Sequence, residues 1–302
     1  MNHFHRIGLW AGTWTGLVLV FVIGCGKKPP VVLSLYCSES HFPVAGELAE
    51  TFRLVYGVPV VCIPMDDATH PAFSSQEERE SRKTGSAYET QKDEIFTSER
   101  IQQFRRWIEN ARYRNFGQYL LDHRLGDLYL CDSPAEVQNL KEGGAVHKER
   151  PLAYLTPVLM VCPEKGAFQS VEDVLKSSET LGIVQREVTG LGRETDRFLQ
   201  NLRQKDPTLN TGRILVFGNE RLLLQAWEAN QIAAAICWDS TAERLFPQIE
   251  PIALPRTEIL AVPLTMCDLT RGPDYQVMDF FSIFANSERG KTLFRQFGYK
   301  TR

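Results

Sequence analysis

Hydrophobic residues run almost without interruption from Val31 to Tyr36, then recur at Val44, Leu48, Phe52 and Val55. A short continuous run suits a buried strand, and the three-to-four residue spacing suits one face of a helix. Ser40 stands where an N-cap is expected and Gly57 where the helix should stop. The next run, "VPVVCIP", reads as a second strand, so the chain opens with a βαβ unit of right-handed crossover.

The alternation then breaks. From Asp66 to Asn115 the chain is dense in charge and poor in aliphatic residues. Asp66 to Glu94 reads as an excursion without periodicity. Ser98 to Arg112 reads as an amphipathic helix with Ile101, Phe104, Trp107 and Ile108 on one face. Its arginines, with Arg114 beyond them, either solvate the outer face or attract an anion.

The strand and helix rhythm resumes at "FGQYLLDHRLGDLYLCDS", with a strand over Asp127 to Cys131. "PLAYLTPVLMVCPEKG" is long and apolar, as expected of a strand crossing between two lobes. A short helix ("SVEDVL"), a strand ("TLGIVQ"), a loop into a helix ("TGLGRETDRFLQNLR") and another strand ("GRILVFG") follow. Next comes "GNERLLLQAWEANQIAAAICWDSTAERLF", a helix and an apolar strand that halts at Trp-Asp-Ser-Thr before another helix. "IEPIALPRTEILAVPLTMC" returns as extended chain, and "PDYQVMDFFSIFANS" and "ERGKTLFRQFGY" close the sequence as helices. The second lobe is entered near Thr156 and left near Phe246. The expected organisation is a first lobe of residues 31–157 and 246–302, carrying the charged insertion 66–115, and a second lobe of residues 158–245. Two connections between α/β lobes suit capture of a ligand by hinge closure.

The N-terminus adds a compartment. Residues 1–25 hold a weakly basic start at Arg6, an apolar run from Ile7 to Ile23, then Gly24-Cys25; residues 26–30 form a polar linker. Val22-Ile23-Gly24-Cys25 resembles the bacterial lipobox, in which signal cleavage leaves a lipidated cysteine as the first mature residue. The alternative is an uncleaved anchor, since roughly 17 to 25 apolar residues suffice to span. Both readings tether the remainder outside the cytoplasmic membrane.

A formal charge of -3 and 43% apolar residues describe an ordinary globular chain with no basic excess for nucleic acid. Cys37, Cys62, Cys131, Cys162, Cys237 and Cys267 are even in number, which allows disulfides in an oxidising compartment. Most of them close apolar runs such as "LSLYC" and "AAIC", where a free cysteine serves as a small buried hydrophobe. Neither C-x-x-C nor H-E-x-x-H occurs, and "GLGRET" lacks the third glycine of a dinucleotide loop.

The ordered set "LSLYCSESHFPVAGELAETF", "GDLYLCDS", "GNERLLLQAWEANQIAAAICWDSTAE" and "MDFFSIFANSERGKTLFRQFGY" resembles the two-lobed periplasmic solute-binding proteins of type II, above all the molybdate-binding subunits of ABC importers. The resemblance covers most of Val31 to Tyr299 outside the charged insertion. It implies an α/β fold in which each lobe is a mixed, mostly parallel sheet with flanking helices, and the ligand cleft lies between the lobes. It also implies a small tetrahedral oxyanion, molybdate or tungstate, bound by hydroxyls and backbone N–H groups from several strand-to-helix corners. ABC permease subunits and the membrane are the implied partners, with no cofactor and no catalysis.

Carried onto this sequence, the first corner falls on Ser38 and Ser40, and the second on Asn115, beside Arg114 where the family has a serine. The third falls on Gly190-Leu191-Gly192, with Leu191 and Gly192 as the binding residues, the fourth on Glu220, and the family's tyrosine on Trp238. Trp238 lines the cleft or packs in the core; it keeps an N–H donor and lacks a hydroxyl. Glu220 either points outward to complement a helix dipole or joins Asp196 or Glu194 as a direct ligand of the oxyanion's metal centre.

The chain carries no nucleophile elbow, metal-ligand spacing or paired carboxylates at an obvious corner, so nothing positive supports an enzyme. Two other readings stay open: a sensory or scaffold lipoprotein on the same fold, and a receptor for another small anion or a metal ion.

Overall fold

The computed structural model describes residues 31–64, 126–186, 189–209, 213–255, 261–269 and 274–302. The expected signal segment with Cys25, the insertion 66–115 and Asn115 lie outside the described residues.

Two five-stranded sheets carry the architecture. The first is built from β1 (Leu33–Cys37), β2 (Val60–Pro64), β3 (Leu128–Cys131), β4 (Val146–Leu155) and β10 (Val262–Leu269), in the order β2-β1-β3-β10-β4. The second is built from β5 (Pro157–Val161), β6 (Leu181–Val184), β7 (Ile214–Phe217), β8 (Ala234–Trp238) and β9 (Ile252–Ala253), in the order β7-β6-β8-β5-β9. Each sheet has three parallel strands followed by one antiparallel strand, β10 in the first and β5 in the second. The parallel strands need helical crossovers, which cover their faces and explain the unbroken apolar runs.

The chain passes from β4 to β5 through Thr156 alone, and returns between β9 and β10. Because β9 pairs with β5, the return crossing lies beyond Ala253 rather than at Phe246, later than the spacing suggests. Asp239 joins the crossing to the second sheet: its N–H donates to Thr156 O at 2.9 Å, and its Oδ1 accepts the Thr156 N–H at 3.0 Å. Lys300, from the C-terminal end, reaches Asp239 Oδ2 at 2.6 Å.

Helices α1 (Phe42–Tyr56), α2 (Pro134–Glu142), α7 (Tyr275–Ala285) and α8 (Glu288–Gln296) belong to the first lobe. Helices α3 (Val171–Lys176), α4 (Gly190–Lys205), α5 (Glu220–Glu228) and α6 (Asp239–Leu245) belong to the second. The apolar face read from the spacing is present in α1 at Val44, Leu48 and Phe52, which are fully buried, but not at Val55, which is 43% exposed. Gly57 ends that helix in the left-handed region, at φ 72°, a conformation open to glycine without a Cβ penalty. Ser40 is not its cap. A 3-10 turn over Glu39–His41 precedes α1, His41 takes the N-cap position, and Pro43 follows in the first turn.

Candidate functional site

Four helices begin at the carboxyl ends of parallel strands in the two sheets, and three of them are capped from their own sequence. Ser133 accepts the Glu136 N–H at α2, Thr189 the Gly192 N–H at α4, and Asn219 the Leu222 N–H at α5. Trp238 occupies the N-cap of α6 without a side-chain capping bond, so that corner is completed from elsewhere.

The completing group is Glu220. It is 4% exposed, accepts the Trp238 N–H at 2.8 Å and accepts the Thr241 hydroxyl at 3.2 Å. The outward-facing reading of Glu220 is therefore wrong: one turn of α5 directs the carboxyl back across the end of β8, where it does the capping that Trp238 cannot. Burial pushes its pKa up; the Trp238 N–H, His41 and the Ser40 hydroxyl pull the other way without reversing it. Its envisaged carboxylate companions pair elsewhere, Asp196 with Arg186 at 3.1 Å and Glu194 with Arg197 at 2.5 Å. Among the described residues no group of three His, Cys, Asp or Glu side chains is placed to hold a metal ion.

Trp238 resolves its two readings by satisfying both. Its side chain has no exposed surface, yet Nε1 donates to Asp132 Oδ2 at 3.2 Å, from β8 of the second lobe to the end of β3 in the first. Asp132 is the residue the sequence reading passed over. It is 6% exposed, its Oδ1 accepts the Gly190 N–H at 3.1 Å, and His41 Nε2 stands 3.4 Å from Oδ2. Burial pushes the Asp132 carboxyl up, but His41, the Gly190 N–H and Arg193 outweigh it and hold the pKa below the usual carboxylate range. His41 Nδ1 in turn lies 3.0 Å from the Tyr299 hydroxyl.

Around this centre the lobes meet through charged side chains. Arg193 of α4 bonds Ser133 and reaches Glu136 Oε2 at 3.1 Å. Arg221 of α5 reaches Glu39 Oε1 at 2.8 Å. The Ser38 and Ser40 hydroxyls are 3.3 Å apart, half-buried beside the 3-10 turn. Leu191 is buried and the Gly192 N–H is committed to the Thr189 cap, so within the expected corner it is Gly190 whose N–H reaches across to Asp132. Ser40, Glu220, Trp238 and the start of α4 thus fall in one linked cluster. Asp132, His41 and Arg193 are additions to it. The signal for Asp132 was available: "LYLCDS" ends an apolar strand in Asp-Ser, as "AAICWDS" does.

The six cysteines within the described residues form no disulfides with one another, and all but Cys62 are buried, as the small-hydrophobe reading expects. Cys62 is half-buried, and desolvation of its thiol still lifts it to about 12, which keeps it protonated near neutral pH.

Two α/β lobes joined by two crossings, with helix N-termini converging where the lobes meet, define a hinged receptor. The chain belongs to a family described as bacterial extracellular solute-binding protein, whose profile matches residues 109–300. It is thus a solute-binding protein of the ABC-importer type, acting outside the cytoplasm. Comparison with curated proteins gives no match. Among solved structures, it is similar to the periplasmic molybdate-binding protein of Azotobacter vinelandii (10% identity, TM-score 0.63, 89% of this chain and 99% of that one). It is also similar to the sulfate-binding protein SubI of Mycobacterium tuberculosis (11%, 0.62, 90% and 87%) and to iron-bound HitA of Pseudomonas aeruginosa (14%, 0.58, 88% and 85%). At these identities the likeness establishes the two-lobed fold. No described helix is long and apolar enough to cross a membrane.

Proposed function

We propose that this chain is the receptor of an ABC importer, tethered through a lipid on Cys25, and that it captures a small tetrahedral oxyanion such as molybdate or tungstate for delivery to the permease. The observation carrying the reading is the surroundings of the Asp132 carboxylate. A negatively charged two-oxygen group sits there against the Gly190 N–H, the Trp238 Nε1–H and His41. Donors that hold a buried carboxylate are of the kind an oxyanion needs. The hydroxyls of Ser38 and Ser40, together with Asn115, complete the recognition set, while Leu191 and Gly192 shape the α4 start behind Gly190. Glu220, whose carboxyl is pushed up in pKa by burial, accepts the Trp238 N–H and so orients the end of β8. Closure follows from differential affinity, because a ligand touching both lobes binds the closed form better and shifts the population towards it.

The test is thermal unfolding of the purified chain with molybdate, tungstate, sulfate, phosphate and ferric ion. A ligand at about 100 times its dissociation constant stabilises by roughly 2.7 kcal/mol. A rise in Tm with molybdate or tungstate supports the reading, and a rise with ferric ion alone overturns it. A second reading, a sensory or scaffold protein on the same fold, is favoured by the number of contacts the lobes make through their own side chains. It predicts no shift with any solute.

A further inference from the structure

The cleft donors are already taken, and the group that takes them belongs to the protein. Asp132 lies at the end of β3 in the first lobe, while Gly190 and Trp238, which donate to it, lie in the second. A receptor that closes only around solute keeps such donors for the solute, since a buried donor left unpaired costs about 1 to 3 kcal/mol. Here the Asp132 carboxylate itself accepts from both.

Contact at this point is backbone against backbone. A Cβ placed on Gly190 would lie 2.1 Å from the Asp132 carbonyl oxygen, so only glycine lets α4 approach so closely. No space for an oxyanion remains between them. The flanking pairs, Arg193 with Ser133 and Glu136, and Arg221 with Glu39, also join one lobe to the other.

We infer that Asp132 is a built-in ligand of the cleft: with no solute present its carboxylate occupies the anion corner and holds the lobes closed, and a solute anion enters only by displacing it. The closure half stands on the contacts just given. The displacement half rests on the oxyanion reading above. Asp132 then sets specificity as well as shape, because a solute must out-compete a tethered carboxylate for the Gly190 and Trp238 donors. Its apparent affinity is reduced by the fraction of molecules that are self-closed.

Small-angle scattering on the full-length chain without added solute separates the halves. The wild type is expected to match the closed structure, and Asp132→Ala and Gly190→Ala are expected to shift to a larger radius of gyration while keeping wild-type circular dichroism. Gly190→Ala leaves every hydrogen-bonding side chain in place, so it reports on closure even if Asp132→Ala folds poorly. A wild type that is already open, or two folded variants that stay closed, overturns the inference. In the opened Asp132→Ala protein, molybdate should restore the closed dimensions at concentrations about tenfold or more below those the wild type needs for binding. Variants that open while molybdate binds neither protein would support self-closure and overturn the oxyanion reading and its displacement half.

Discussion

Two buried acid-base networks in this molecule use similar chemistry to opposite ends. In the first lobe, Arg150 of β4 reaches Asp268 of β10 at 2.7 Å and also bonds Asp279 of α7, while Ser282 donates to Asp268. At the cleft, Asp132 gathers His41, Gly190 and Trp238. The Arg150 network joins elements that never part, because its strands are neighbours in one sheet. The Asp132 network joins elements that part whenever the lobes do. A buried charge with partners in its own lobe is a fixed part of the fold, whereas a buried charge with partners across a hinge exists only in one state of the receptor.

Breaking each network should therefore give different losses. Arg150→Met leaves Asp268, which has no exposed surface, without its counter-charge. We expect a loss of about 3 to 5 kcal/mol in urea unfolding, with the lobe spacing unchanged. Asp132→Ala should cost less, about 1 to 3 kcal/mol, because opening lets water reach the abandoned donors. A loss from Asp132→Ala as large as that from Arg150→Met would place both networks in the permanent core.

Acid sharpens the contrast further. Asp132 is held below its ordinary pKa, so its contribution is present above the unfolded value, about 3.9, and is lost as the pH falls through the folded value. Glu220 has the opposite sign. Its raised pKa favours the folded state while the carboxyl is protonated, so that contribution is full below about 4.3 and is lost as the pH rises through the raised value. Glu220→Gln should flatten the stability profile between about 4.3 and that raised value, and Asp132→Asn should flatten it between the lowered folded value and about 3.9. The test is the Tm of each variant followed across acidic to neutral pH.

The smallest effect belongs to the rim. Glu39→Gln breaks a pair with Arg221 whose side chains are 27% and 33% exposed, and solvent screens it. We expect about 0 to 1 kcal/mol, declining with added salt.

Much of the fold was legible because its signals are local. Val44, Leu48 and Phe52 share one helical face, Gly57 ends that helix, and most apolar runs became buried strands, β7 with its exposed Leu215 and Val216 excepted. Asn219 is legible for the same reason, as a cap three residues before the N–H it accepts. The site was legible only as a set of corners. Glu220 turned inward because β8 ends without a capping side chain, a need set by a strand whose Trp238 lies 18 residues away. Asp132 escaped notice because its partners come from 58 and 106 residues along the chain, distances no spacing pattern can carry. Ser40 lost the cap to His41 because the 3-10 turn consumes one more residue than a direct strand-to-helix corner.

The most direct test of the central claim, that the chain's own carboxylate stands in the place of the solute, is calorimetric titration of molybdate into the wild type and into Asp132→Ala. Removing the internal competitor should tighten binding by at least about tenfold, or about 1.4 kcal/mol. Equal or weaker binding to Asp132→Ala would contradict the account, because Asp132 would then be supporting the solute and not standing in for it.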